Sequence, residues 1–355
     1  MSTLRVTAEQ LTIVEHPNAD ALELAQVGLY RAVVAKGAYR TGEFAVYIPE
    51  QAVLPDPLIA ELGLTGRLTG GAANRVKAVR LRGELSQGIV CRPAALDGTD
   101  LERAAAGGED FAERLGITKW VPPVPVSMSG DVAAAPDLLP WTDIENLKRH
   151  PDIFAPGDLV TVTEKLHGTA CCLTYHAGTG ALDVTSKGLG AQRLALIEAP
   201  GNLYWRAVRG YGLPQLAADL ARTLGASRVG IYGEVYGGGV QDLGYGIDAR
   251  RELPGYAAFD VCADIGGQLT WLDPADLPVG ELPLVPRLHH GPFDLDQVLG
   301  LAQGRETVSG RGAHIREGVV VRTADGTYSP VVGGRAIAKV VSDAYLTRKG
   351  GTEYE

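Results

Sequence analysis

The chain has 355 residues, with 33 Lys and Arg against 42 Asp and Glu, a formal net charge of −9. That length suits two domains better than one core, and 45% hydrophobic against 21% charged residues exclude disorder as the dominant state. The acidity excludes indiscriminate coating of nucleic acid, so any polyanion has to meet a local basic patch.

The first 95 or so residues carry short apolar or alternating runs separated by turn residues. Strands are expected over 22–27, 30–35, 44–48, 76–81 and 89–91, a number that suits a small closed barrel. Arg75, Lys77, Arg80 and Arg82 bring cations to one of these strands, and Arg31, Lys36 and Arg40 add others. Taken singly, such charges describe an ordinary solvated face. From 97 onward the pattern breaks up. A helix over 101–115 would be interrupted at Gly107-Gly108, Trp120-Val121-Pro122-Pro123-Val124-Pro125 must be extended, and the small residues of 127–136 read as a flexible linker. The expected organisation is a barrel over 1–100, a linker over 101–140 with the boundary near 135, and a second domain over 141–355.

In that second domain a helix is expected over 214–224, with a proline in its first turn, Leu216, Leu220 and Leu224 on one face and Gly225 to end it. Strands are expected over 159–163, 170–173, 182–185, 229–232, 256–261, 318–322 and 336–341. Strands outnumber helices and lack βαβ spacing, so the expected class is α+β with antiparallel sheets. There is no Walker loop and no Gly-x-Gly-x-x-Gly opening a helix. No run of about 18 apolar residues occurs, and Met1-Ser2-Thr3-Leu4-Arg5 leads into no signal-peptide core. A cytoplasmic protein without a membrane partner is expected. Cys91, Cys171, Cys172 and Cys262 lack zinc-type or Cys-x-x-Cys spacing and read as reduced core residues.

Two resemblances follow. The segments His16-Pro17-Asn18-Ala19-Asp20-Ala21-Leu22, Val33-Val34-Ala35-Lys36-Gly37, Tyr47-Ile48-Pro49-Glu50 and Arg82-Gly83-Glu84-Leu85-Ser86-Gln87-Gly88 resemble the tRNA-binding OB fold of some aminoacyl-tRNA synthetases. That resemblance implies RNA contact through a strand face and its loops, with Arg75, Lys77, Arg80 and Arg82 as phosphate contacts. The stretch Glu164-Lys165-Leu166-His167-Gly168-Thr169 is similar to motif I of the covalent nucleotidyltransferases. Further stretches follow in the order that superfamily requires: Ser186-Lys187-Gly188, Tyr232-Gly233-Glu234-Val235-Tyr236-Gly237, Phe259-Asp260-Val261, Arg316-Glu317-Gly318-Val319-Val320-Val321-Arg322 and Ala338-Lys339-Val340. With the barrel placed first, the whole resembles the Deinococcus-type ATP-dependent RNA ligases.

The resemblance implies ATP and Mg²⁺ or Mn²⁺ as cofactors, and RNA with 3′-OH and 5′-PO₄ ends, nicked or structured, as partner. Lys165 is the expected nucleophile toward the α-phosphorus of ATP, forming lysyl-AMP. Its pKa must then fall from about 10.4, with a metal ion, Lys187 and Lys339 as the expected cause. Glu317 is the expected metal carboxylate, and Glu234 a ribose or second metal ligand. His167 is placed on the leaving pyrophosphate, Glu164, Gly168 and Thr169 beside the nucleotide, and Phe259 or Phe293 against adenine. One departure stands out: Lys339-Val340-Val341 lacks the second lysine usual in motif V, with Arg335 or Lys349 as possible replacements. A monomer is expected. The alternatives are a DNA nick ligase and an RNA-binding protein whose transferase domain is inactive.

Overall fold

A computed structural model describes residues 4–323 and 326–351; Met1, Ser2 and Thr3, on which the absence of a leader was argued, lie outside the described residues. The chain forms two compact units. One comprises Met1–Val121, Glu145–Pro151 and Leu346–Arg348, the other Pro122–Ile144, Asp152–Tyr345 and Lys349–Glu355.

In the first unit, strands Thr7–Gln10, Phe44–Ile48 and Ile89–Cys91 form one three-stranded sheet, and Thr12–Glu15, Leu22–Val27 and Tyr30–Ala35 another. The uninterrupted apolar run of Phe44–Ile48 has a simple cause. Successive strand residues face opposite ways, and here both faces are buried: Ala45 and Tyr47 enter a core with Leu11, Val27 and Val34, while Val46 and Ile48 enter one with Val6, Leu54 and Phe111. The strands 7–10 and 12–15 escape the sequence pattern because each is only four residues long and mixed in polarity. The expected strand over 76–81 is shorter, Val79–Leu81, in a hairpin with Glu84–Ser86.

The segment read as a linker is packed. Helix Leu101–Ala106 starts where the Asp100 carboxylate accepts a hydrogen bond from the Arg103 amide, and it stops at Gly107. Beyond it, Phe111, Leu115 and Ile117 fill the core of the first unit. Further on, Val132–Ala134 is a strand paired antiparallel with Leu194–Leu196, and Met128, Leu138 and Leu139 are buried. Ala- and Gly-rich composition hides a strand whose partner lies far along the chain.

The second unit is built on two antiparallel sheets, as α+β composition leads one to expect. The larger runs Val132–Ala134, Leu194–Leu196, Leu182–Ser186, Thr169–His176, Arg228–Tyr236, Gly255–Ile265, Gln268–Leu272 in spatial order. Helices Leu203–Gly210 and Leu213–Leu224 bury Tyr204, Val208, Leu213, Ala217 and Leu220 against its Leu173, Val184, Ile231 and Ala263. In the other sheet, Ile337–Val341, Gly318–Thr323, Leu159–Lys165 and Arg287–Pro292 lie side by side. Leu159–Lys165 thus belongs to one sheet and Thr169–His176 to the other. The connection Leu166-His167-Gly168 crosses between them.

Candidate active site

Lys165 ends its strand opposite Gly318. Two residues back, Thr163 faces Val320, which in turn faces Lys339. Opposed residues and residues two apart share a face, so Lys165 and Lys339 lie on the same side of the sheet. Val319, Val321, Ala338 and Val340 on the other side are fully buried. The tight spacing requires glycine at two points: a Cβ on Gly318 would fall 2.0 Å from the Val340 carbonyl oxygen, and one on Gly168 2.2 Å from that of Val235. Both glycines admit the close approach of protein backbone.

Lys165 Nζ donates to Glu317 Oε1 at 2.8 Å. Glu317 is buried, and its Oε2 has no hydrogen-bond partner. Burial pulls the Lys165 ammonium down, but the charges of Glu317 and Glu234 and the hydrogen bond to Glu317 outweigh it, and its pKa is raised. That direction is the opposite of what attack on a phosphorus needs. Burial pushes the Glu234 carboxyl up to about 8, against the opposing pull of Lys165 and with the added push of Glu317; a hydrogen bond from the Gly168 amide and the Lys187 charge lower it again. Among the described residues no cluster of three or more His, Cys, Asp or Glu could hold a metal alone. The orphaned Glu317 oxygen beside a second carboxylate nevertheless fits a hard cation of the Mg²⁺ or Mn²⁺ kind, which takes one or two carboxylates and fills its shell with water and substrate phosphate.

The crossing turn is held from several directions. His167 donates its backbone N–H to the Tyr245 hydroxyl at 2.7 Å, and Gln241 Nε2 donates to the Gly168 carbonyl at 3.1 Å. The His167 ring sits between Asp242 Oδ1, 2.7 Å from Nε2, and the Tyr345 hydroxyl, 2.8 Å from Nδ1. The glycine-rich stretch 236–246, whose composition with Asp242 and Tyr245 suggests a mobile loop near the pocket, is therefore anchored to the Lys165 turn. Thr169 shares a 2.7 Å hydrogen bond with the Tyr204 hydroxyl, inside the core rather than toward a phosphate. Asp242, Gln241, Tyr245 and Tyr345 are the contacts that motif matching misses; the polar residues set among glycines at 236–246 signal the first three, and no local pattern signals Tyr345.

Other expected residues go different ways. Glu164 neighbours Lys165 on the strand and so points to the opposite face, where its Oε2 accepts from the Thr307 amide and hydroxyl and lies 3.4 Å from Arg316. That oxygen ties the strand to the 305–316 segment. Phe293 packs on Phe154, rings 5.1 Å apart, and its amide bonds Asp158 at the start of the Leu159–Lys165 strand. At a rise of about 3.3 Å per residue that end is roughly 20 Å from Lys165, so Phe293 is outside the pocket. Phe259 fares better. The pairing register shifts between Tyr232 and Gly233, leaving Phe259 unopposed on a bulge, half-buried against Leu166, Tyr236 and Tyr245. Bulges of this kind re-aim side chains beside active sites.

Lys187 starts a short helix behind Ser186 and reaches Asp143 at 2.7 Å. Arg335 is committed elsewhere: both its terminal nitrogens meet the Asp260 carboxylate, and its guanidinium lies 5.0 Å from the Trp271 ring. It does not replace the missing motif V lysine. Lys349 is exposed. In the first unit Arg75 is no surface cation: it is buried, stacked 3.3 Å from the Trp120 ring centroid, and donates to Gln51 Oε1 at 2.6 Å. Lys77 lies outside the regular strand, while Arg80 and Arg82 lie in the exposed hairpin.

A strand-end lysine paired with a carboxylate, with a second carboxylate whose charge reaches it and another lysine on the same face of the sheet, is the arrangement of a nucleotidyl-transferring enzyme site. The family model for RNA ligase matches residues 158–341, more than half the chain, and the chain belongs to that family. An OB-fold domain model matches residues 5–93, which agrees with the barrel expected there. Among solved structures, the Naegleria gruberi RNA ligase with pyrophosphate aligns with TM-score 0.76 at 23% identity, covering 97% of this chain and 98% of that one. A lysine-to-alanine mutant of the same enzyme, solved with ATP and Mn, aligns with TM-score 0.77 at 22% identity over 96% and 98% of the two chains. These likenesses show the fold. No curated protein matches.

Proposed function

We propose that this RNA ligase is ATP-dependent, works through Lys165, and seals 3′-OH/5′-PO₄ breaks in nicked or structured RNA. Lys165 Nζ, as the neutral amine, attacks the α-phosphorus of ATP; the bond to pyrophosphate breaks and lysyl-AMP remains. AMP then passes to the 5′-phosphate of RNA, releasing Lys165, and the 3′-hydroxyl displaces AMP to leave a phosphodiester. A divalent ion held by Glu317 and Glu234, when bound, supplies positive charge against the phosphates. The hydrogen bond from Lys165 to Glu317 holds the ammonium charged, and the amine form is favoured wherever Glu317 Oε1 has another partner. Lys339, on the same face, and Lys187, whose charge reaches Glu234, oppose the negative charge that builds during attack. Phe259 presents its ring where adenine can stack.

The observation that carries this reading is the Lys165–Glu317 pair with its spare carboxylate oxygen, inside the segment matched to the RNA ligase family. The neighbouring enzyme solved with ATP and Mn supports the choice of nucleotide and metal. The OB-fold unit before the ligase unit supports RNA as its ligand and the Deinococcus-type resemblance. Four buried free cysteines support the reducing cytoplasm as its place of work, and no helix among the described residues is long and apolar enough to cross a membrane. We take the active form to be a monomer. The test is sealing of a 5′-labelled nicked duplex with ATP and Mn²⁺ or Mg²⁺, with the 3′-OH side of the nick RNA or DNA. Sealing is expected to require the RNA side; equal sealing of both makes it a DNA nick ligase, and none with either leaves only the RNA-binding reading.

A further inference from the structure

The His167 ring is buried, and both its nitrogens are occupied by protein. A carboxylate can only accept a hydrogen bond, so Nε2 facing Asp242 must carry a proton. The Tyr345 hydroxyl can donate as well as accept, which lets Nδ1 be the acceptor of a neutral ring. Such a ring has no polar atom left for a departing pyrophosphate. The same residue gives its backbone N–H to Tyr245, and the next residue, Gly168, receives Gln241 on its carbonyl and gives its amide to Glu234.

We propose that Asp242 and Tyr345 are positioning residues that lock His167 as the Nε2–H tautomer, and that His167 is a clamp on the Lys165–Thr169 turn rather than a ligand of pyrophosphate. The clamp has three parts from distant places in the chain. His167 is on the crossing turn, Asp242 on the glycine-rich stretch, and Tyr345 in the short helix Asp343–Leu346 that follows the Lys339 strand. Tyr345 also has its ring edge-on to the imidazole, centroids 5.1 Å apart, and its amide donates to Ser342 Oγ, whose hydroxyl in turn donates to the Arg316 carbonyl next to Glu317. Through these contacts the positions of Lys165, Glu234 and Glu317 are referred to one fixed ring. An imidazole oriented by a carboxylate on its far nitrogen is a general way of fixing tautomer and geometry; here the ring orients backbone in place of a metal.

The inference rests on the proposed reaction for its kinetic test and has a second readout that does not. In single-turnover adenylylation, Asp242→Ala and Tyr345→Phe should each slow the step about 10- to 100-fold, the usual cost of removing an orienting partner. The KM for ATP and inhibition by pyrophosphate should shift less than about threefold, because a residue that acts through the His167 ring changes the rate of the step rather than the binding of either ligand. Asp242→Asn keeps an acceptor for Nε2–H and should recover most of the loss. In a His167→Ala background both changes should cost less than about threefold more, since the ring they position is gone. Equal costs with and without His167 overturn the proposal, as does a His167→Ala enzyme that keeps its rate and loses pyrophosphate inhibition. The independent readout is ¹⁵N NMR of the histidine rings, with Tyr345→Phe to assign His167. Nε2 protonated and Nδ1 an acceptor is expected, and the reverse tautomer overturns the clamp. If the wild type labels no lysine, the ligase reaction fails and the NMR result still decides the clamp.

Discussion

Two cation–carboxylate pairs in the ligase unit make opposite use of similar chemistry. Arg335 and Asp260 are both buried and meet through two contacts, so both carboxylate oxygens are satisfied. Burial raises the Asp260 carboxyl, opposed by the Arg335 and Arg322 charges. Lys165 and Glu317 meet through one contact, with the second Glu317 oxygen buried and unmatched and the lysine a quarter exposed, at 27%. A planar guanidinium fork closes a carboxylate; an ammonium touches it at a point. The closed pair can only hold structure, whereas the open one can exchange its partner.

The largest expected effect is at the open pair. Lys165→Arg keeps the charge and removes the ammonium that can become the amine nucleophile at this position, since a guanidinium stays protonated. No adenylate should form from labelled ATP. Glu317→Ala and Lys339→Ala should each slow adenylylation about 10² to 10³-fold, the typical cost of one electrostatic stabiliser, measured by single-turnover labelling with the fold checked by circular dichroism. At the closed pair, Asp260→Ala should act on stability, leaving Arg335 buried without its counter-charge at a cost of about 3–5 kcal/mol; a denaturant melt measures it.

The smallest effects are in pH dependence. Glu317 and Glu234 stabilise the Lys165 ammonium, so the amine fraction, and with it the adenylylation rate at saturating ATP, should climb as pH rises from 6 to 9 (roughly tenfold per unit at most while the ammonium dominates). Glu234→Gln should flatten that climb. Stability follows the other sign. With its folded pKa near 8 against an ordinary 4.5, Glu234 binds a proton in the folded state that the unfolded chain has already lost between those values. Its contribution therefore favours folding at low pH and is lost as pH rises through that window. Thermal melts of the ligand-free protein should show Glu234→Gln gaining stability relative to wild type at pH 8 and little at pH 4.5.

What could be read in the residues alone was set by local pattern. Lys165, Glu234 and Lys339 sit on strands, and Glu317 directly before one, whose alternation and order are visible in a single pass, and helix Leu213–Leu224 shows in its leucine spacing and closing glycine. Glu164 was misplaced because adjacency in sequence means opposite faces on a strand. Phe293 was misplaced because a motif-like triplet does not say at which end of its neighbouring strand it lies. Arg75 looked like one more surface cation until Trp120, 45 positions later in the chain, was seen stacked on it. The strand Val132–Ala134 and the partners of His167 depend on contacts of the same long-range kind, which no local window contains.

Mass mapping of the adenylylated enzyme tests most directly whether the open pair holds the nucleophile. The wild-type protein, incubated with ATP and Mn²⁺, is digested and the AMP adduct located by tandem mass spectrometry. The adduct is expected on Lys165 as an acid-stable phosphoramidate, and on no other residue. An adduct on Lys187, Lys339 or any other side chain, with Lys165 unmodified, would contradict the account.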